Sequence, residues 1–365
     1  RAFEFVNLYY YGGGFDVVAS LLHKILPISL FETRRLLGGI VGFIGLAVSW
    51  RLGRRVSGPF GGAMTLAMLA LCPTFYGHMF INPKDMPFAV AMVVFLLGIV
   101  RIIEDYPFPT PRTLVILGLG AGLALGTRIM GGFQIVVALI AALPLIVTDM
   151  QRNGLRDGSA RLARVLYALV PAIVLGIIVM GLLWPWSVDE PGNLFRAAEY
   201  FSHFFEKPWR ELYNGALIDV PNMPWTYIPT MFGLHLPEML LALVLLGTGL
   251  IIAALASRQI DTRRKSILMV VLLAAFLPLV VTMITRPALY NGIRHFIFVI
   301  PPMAVIAGFG ATWLREAIHR INRPNWRRTA QSAALAALCA GLVVPLTAMV
   351  RLHPYQYVHF NYLAG

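Results

Sequence analysis

Residues 82–105 read NPKDMPFAVAMVVFLLGIVRIIED. Between Asp85 and Arg101 no side chain is charged, and at about 1.5 Å per helical residue such a run crosses most of a hydrocarbon layer about 30 Å thick. A polar turn, Asn82-Pro83-Lys84-Asp85, stands at one end of the run and Arg101 at the other. The stretch therefore predicts a membrane span whose two ends differ in chemistry, and the rest of the chain repeats the pattern. Of 365 residues 58% are hydrophobic and 13% charged, with mean hydropathy +0.73, more apolar surface than a soluble core hides.

Ten apolar runs are predicted spans: 35–51, 58–77, 86–103, 113–131, 133–149, 165–185, 237–256, 267–285, 296–314 and 330–350. Ahead of them, Val17, Leu21, Leu22 and Ile25 recur at helical spacing over 15–31, opposite His23 and Lys24, which predicts a helix lying in the membrane interface. The fold class expected is an all-α, polytopic bundle. Its parts are an outer-face loop and interfacial helix (1–34), a first helix group (35–186), an aromatic-rich outer loop (187–236), a second helix group (237–350) and an outer tail (351–365).

Sorting the 30 Lys and Arg by loop tests this layout. Eighteen fall in alternate loops, at Arg51–Arg55, Arg101–Arg112, Arg152–Arg164, Arg258–Lys265 and Arg315–Arg328. The opposite loops hold Lys84, Arg128, Arg196, Lys207, Arg210, Arg286 and Arg294. Positive residues mark the cytoplasmic side, so the second set faces outward. The net charge of +13 lies in short gaps between apolar runs and not along one helical face, which argues against a nucleic-acid partner. Cys72 and Cys339 sit in apolar runs without metal-ligand or disulfide spacing. Walker A, HExxH and GxSxG motifs are absent, which removes nucleotide-hydrolase, zincin and serine-hydrolase readings.

The chemistry is then sought among the outward polar residues, because charge at a lipid boundary is costly without a purpose. Asp85 precedes the proline that opens a span and reads as a helix N-cap, with Lys84, Asn82 and His78 at the same depth. Arg128, in Gly126-Thr127-Arg128, ends another span among small residues, and a guanidinium suits a phosphate. Tyr290, Arg294 and His295 put a phenol, a second guanidinium and an imidazole on one outer turn. Asp16 follows the tyrosine and glycine run 9–14, where tight backbone turns suit a ligand and N-capping is the structural alternative.

These motifs resemble the lipid-carrier-dependent glycosyltransferases of the GT-C superfamily, near family 39, which includes protein O-mannosyltransferases and aminoarabinose transferases. The similarity rests on Pro73-Thr74-Phe75-Tyr76-Gly77-His78 running into Asn82–Pro87, on Gly126-Thr127-Arg128, on Pro224-Trp225-Thr226-Tyr227-Ile228-Pro229, on Tyr290–His295 and on His353-Pro354-Tyr355-Gln356-Tyr357. It implies a sugar donor on a polyprenyl phosphate and a lipid, glycan or protein acceptor. It also implies inverting transfer at the outer, periplasmic face of a bacterial inner membrane. Lys84, Arg128, Tyr290, Arg294 and His295 would hold the donor phosphate, while Asn82, His78, Trp225, Tyr227, His353 and Tyr355 would line the substrate site. Asp85 would position substrate or act as a base, with a divalent cation as a possible cofactor. The family's main catalytic acid follows a first span. This chain begins inside the corresponding loop, so that acid is expected upstream of Arg1, or else Glu4 or Asp16 replaces it. The competing reading is a multi-span transporter or lipid flippase, against which stand the one-sided charges and the lack of a repeat.

Overall fold

The computed structural model describes residues 8–202 and 210–364. Helix α1, Gly14–His23, is shorter than the interfacial helix expected over 15–31, because the chain turns before Pro27 with His23 Nδ1 2.9 Å from the Ile28 carbonyl. Val17, Leu21 and Ile25 leave an apolar face uncovered, as an interfacial element requires. A reciprocal cap follows: Ser29 Oγ accepts from the Glu32 N–H while Glu32 accepts from the Ser29 N–H, satisfying the first donors of α2, Leu30–Ala70. This helix bends at Ser57-Gly58, where Gly58 has φ of +76°, and restarts at Pro59. Pro73 then opens α3, Pro73–Ile81, so the run expected as one span over 58–77 is broken before Pro73.

Helix α4, Asp85–Asp105, is the central shaft. In its most apolar window 83% of residues are buried, against 11% for the last long helix, which makes α4 the core and the latter a peripheral element. Around it stand α5, Pro111–Thr127, α6, Phe133–Ala168, and α7, Val170–Leu183. Short α8, Trp186–Asp189, and α9, Asn193–Ser202, follow. The outer loop also holds α10, Tyr227–His235, and the second group comprises α11, Glu238–Ala256, α12, Thr262–Thr285, α13, Ile300–His319, and α14, Pro324–Arg351. Among the described residues seven helical stretches are long and apolar enough to cross a membrane. Two of them, α2 and the stretch 129–183, join runs that the sequence separates. The chain is an integral membrane protein.

One small β element accompanies the all-α bundle, in the outer loop. Arg210–Tyr213 (β1) and Ala216–Asp219 (β2) pair antiparallel about Asn214-Gly215, both with positive φ. That dipeptide is the usual two-residue hairpin signal, and strands of four residues are too short to show a clear alternation.

Helix α5 is positioned by its glycines. A Cβ on Gly118 or Gly122 would lie 2.6 Å from the carbonyls of Ala172 and Gly176 on α7, and one on Gly120 would meet the α4 backbone at Phe95. Close backbone approach on two faces wedges α5 between α4 and α7. Gly122→Leu is accordingly expected to destabilise the bundle by at least about 1–3 kcal/mol, read as a lower melting temperature in detergent. Gly249→Ala inside α11, whose methyl group meets nothing, should melt no lower than the parent, since alanine favours a helix over glycine.

The two ends of α4 differ as the charge sorting expects. At one end Arg55 pairs with Glu104, Arg101 Nε donates to Thr113 Oγ1 at 2.9 Å, and Tyr106 and Arg161 both reach Asp149. Arg263 bonds the Tyr106 carbonyl and Arg264 that of Val56, and Arg315 lies over Phe60. All five arginine-rich loops therefore meet there. Asp85 lies at the opposite end.

Candidate active site

The turn into α4 does not use Asp85 as its cap. Asn82 Oδ1 accepts from the backbone N–H of Lys84 at 3.3 Å and of Asp85 at 2.9 Å, and Asp85 itself is the first helical residue. With those donors satisfied by Asn82, the Asp85 carboxylate turns inward, where it is 4% exposed. Asn82 Nδ2 donates to its Oδ2 at 2.7 Å. Arg128 forms an ion pair with Oδ1, and Arg294 Nε stands 3.6 Å from Oδ2. A buried carboxylate without such partners would be costly.

The two arginines arrive by independent routes. Arg128 terminates α5 in an extended conformation, so the glycine wedge sets its height. Arg294 follows a turn in which Asn291 and Gly292 both have positive φ. Tyr227 Oη accepts from the Gly292 N–H at 3.0 Å, and Glu211 accepts from the Asn291 N–H at 3.1 Å. Tyr227 thus shapes the loop that aims Arg294. Arg294 also lies over the Tyr290 ring at 5.5 Å and contacts His295 Nε2 at 3.0 Å, while Tyr290 and His295 meet edge to face.

Counting Lys84, three cations surround one carboxylate. The Nε atoms of Arg128 and Arg294 are buried without a hydrogen-bond acceptor. An unsatisfied buried donor costs about 1–3 kcal/mol, and Asp85 Oδ1 likewise makes no hydrogen bond, so the cluster has spare guanidinium donors of the kind that suit an anion. Burial lowers the Lys84 pKa, with neighbouring Arg128 adding to the effect, and its Nζ sits 4.3 Å from the centre of the Tyr11 ring.

His78 is 7% exposed and lies 3.3 Å from Asn82 Nδ2, with the Tyr357 ring 5.8 Å away. Burial, aided by Arg294 and opposed by Asp85, pushes its pKa down to about 4, so it is neutral at pH 7. Unfolding releases a His of ordinary pKa near 6.5. Between about pH 6.5 and 4 the unfolded chain binds the extra proton. His78 should therefore make stability fall as pH drops through that window, and His78→Gln should flatten this component in melting curves taken from pH 7 to 4.5.

Beside the cluster a groove of about 300 Å³ runs between α1, α2, α4 and α5. Tyr11, Asp16, Lys84 and Thr127 border it, and Leu37, Val41, Ile44, Val90 and Val94 form apolar walls. Asp16 does not cap α1, whose cap position is Gly13. It pairs with Arg34 at 2.8 Å and is about half exposed. Glu4 lies outside the described residues. Trp225, His353 and Tyr355 are exposed and make no hydrogen bond or ion pair with Asp85. In the tail, Gln356, His359 and Asn361 turn inward instead, with Asn361 Nδ2 bonded to the carbonyls of Gly233 and Leu236. Among the described residues no group of three or more His, Cys, Asp or Glu is placed to hold a metal ion.

Residues 16–184, which carry Asp85 and Arg128, match the family described as dolichyl-phosphate-mannose-protein mannosyltransferase. Over 96% of its length the chain superposes on ArnT from Cupriavidus metallidurans bound to undecaprenyl phosphate, with a TM-score of 0.54 and 15% identity. The oligosaccharyltransferase of Archaeoglobus fulgidus tethered to an acceptor peptide superposes over 96% of the chain at 0.57 and 12%. The chain has the GT-C fold. It spans 64% of the ArnT chain and 47% of the archaeal enzyme. The archaeal AglB in complex with an inhibitory peptide and a dolichol phosphate is similar at TM-score 0.57, 11% identity, 96% of this chain and 48% of its own. A comparison with curated protein sequences yields no significant match. Within this GT-C fold the family match ends before Arg294, so the third cation comes from the second helix group.

Proposed function

We propose that this GT-C chain is a membrane glycosyltransferase that moves a hexose or pentose from a polyprenyl-phosphate carrier to an acceptor hydroxyl or similar nucleophile. The observation that carries the reading is the meeting of Arg128 and Arg294 on the buried Asp85, each with an Nε that makes no hydrogen bond, beside an apolar groove. The carrier phosphate binds Lys84, Arg128 and Arg294, and its isoprenoid tail follows the walls of Val41, Ile44, Val90 and Val94. Undecaprenyl phosphate bound to ArnT and dolichol phosphate bound to AglB support this assignment.

In the reaction the acceptor oxygen attacks the anomeric carbon as the bond to the phosphate oxygen breaks, and the electron pair leaves on the phosphate. The three cations stabilise that growing charge, and a single displacement inverts the anomeric configuration. Asp85, engaged by both guanidiniums, serves as a positioning residue that keeps them parallel to the phosphate site. Asp16, half exposed in the groove wall, is the carboxylate suited to take the acceptor proton. The charge segregation supports an outward site at the periplasmic face of an inner membrane.

The test uses the protein in sealed vesicles with radiolabelled undecaprenyl-phosphate mannose and glucose, offered with lipid, glycan and peptide acceptors. Label appearing in an acceptor supports the transferase. Movement of intact donor across the vesicle, with no transfer to any acceptor, would establish the flippase reading instead.

A further inference from the structure

Three consecutive tyrosines lie across the end of the bundle that carries Asp85. The Tyr9 carbonyl accepts from Trp184 Nε1 at 2.7 Å. The Tyr10 ring stacks on Tyr200 at 4.3 Å and meets Trp186 edge-on at 5.1 Å. Tyr11 packs on Phe201 at 4.7 Å. Just beyond, Gly12 presses its backbone against the Gly126 carbonyl so closely that a Cβ has no room, which docks this segment onto the end of α5. The result is a Tyr11 ring held at the groove, with Lys84 Nζ 4.3 Å and Arg128 Cζ 6.0 Å from its centre.

We propose that Tyr11 is the platform on which the donor's sugar ring stacks, a specificity-determining residue by which the site distinguishes a glycosylated carrier phosphate from the bare one; this rests on the carrier-phosphate reading above. The sugar is joined to the phosphate through one bridging oxygen, so it lies within a few ångströms of whatever flanks the phosphate cations. Both Lys84 and Arg128 flank Tyr11. The electron-rich face of an aromatic ring attracts the polarised C–H groups on the apolar face of a pyranose, as it attracts other partial positive charge. Lys84 now covers that face, but its ammonium ends a flexible four-carbon stem. Moving Nζ onto a phosphate oxygen transfers the cation to the anion and yields the ring face to the sugar. Phe201 supports the ring from its other contact, so the platform keeps its tilt while Lys84 moves.

The experiment measures binding of undecaprenyl phosphate and of its mannosyl, glucosyl and galactosyl esters to the full chain in nanodiscs. The parent protein should bind at least one ester more tightly than the bare phosphate. Tyr11→Ala should erase about two- to tenfold of that preference, and Tyr11→Phe should retain it, because the ring and not the hydroxyl makes the platform. Tyr11→Leu keeps apolar bulk without an aromatic face and serves where the alanine variant melts early; it too should lose the preference. Equal weakening toward ester and bare phosphate in these variants would overturn the proposal, leaving Tyr11 as a support for the cations. So would a parent protein that prefers none of the esters. Failure of the parent to bind even bare undecaprenyl phosphate would instead remove the carrier-phosphate reading itself.

Discussion

Arg128→Gln is expected to slow sugar transfer about a hundred- to a thousandfold, the usual cost of removing a donor aimed at charge that develops in the transition state. Arg128 is favourably placed for this role because its side chain is only 15% exposed and its Nε makes no hydrogen bond, so a phosphate oxygen would meet it with reduced competition from water. Arg128→Lys keeps the charge but not the planar pair of donors, and should recover only part of the loss. Single-turnover transfer from radiolabelled undecaprenyl-phosphate sugar, with donor saturating, separates this effect from weaker binding. A rate within about threefold of the parent would rule out Arg128 as a stabiliser of the leaving phosphate.

Asp85→Ala should have two opposite effects. Stability falls by about 3–5 kcal/mol, as when one partner of a buried ion pair is removed, since Arg128 and Arg294 then face each other beside Lys84 with no anion between them. Affinity for bare undecaprenyl phosphate rises, because the lipid phosphate no longer competes with an internal carboxylate. Each tenfold gain in affinity adds about 1.4 kcal/mol of ligand stabilisation, so the lipid should raise the variant's melting temperature more than the parent's. Identical lipid-induced shifts would show that Asp85 and the phosphate do not share the guanidiniums. Transfer should nevertheless be slow in the variant, as arginines without a fixed anchor are no longer aligned on the leaving group.

The membrane bundle and its charged end were legible in the chain because both depend on simple quantities, run length and arginine position. Asp85, Arg128 and Arg294 could be nominated together on the same ground, and the structure brings them into contact. Their geometry was not legible. An Asp before a helix looks like a cap until Asn82, three residues earlier, is seen to satisfy the same N–H groups. Tyr227 belongs to the site only through the loop it fastens, a contact across 65 residues that no local pattern carries. Trp225, His353 and Tyr355 come from motif alone, and the structure shows them exposed. Tyr11 stands in the run 9–14, where the glycines carry the turn signal and three tyrosines in a row are the sign of an aromatic cluster.

The junction at Asp85 has a genetic consequence. One guanidinium enters on the half of the chain that matches a known family and the other on the half that does not. A substitution that alters the reach of the Asn291-Gly292 turn in one half would thus find its suppressors in the other, at the end of α5 or in Asn82. Hybrids that exchange helix groups between relatives should likewise inherit function only when both arms converge at the same height, so the two halves are constrained to vary as a pair.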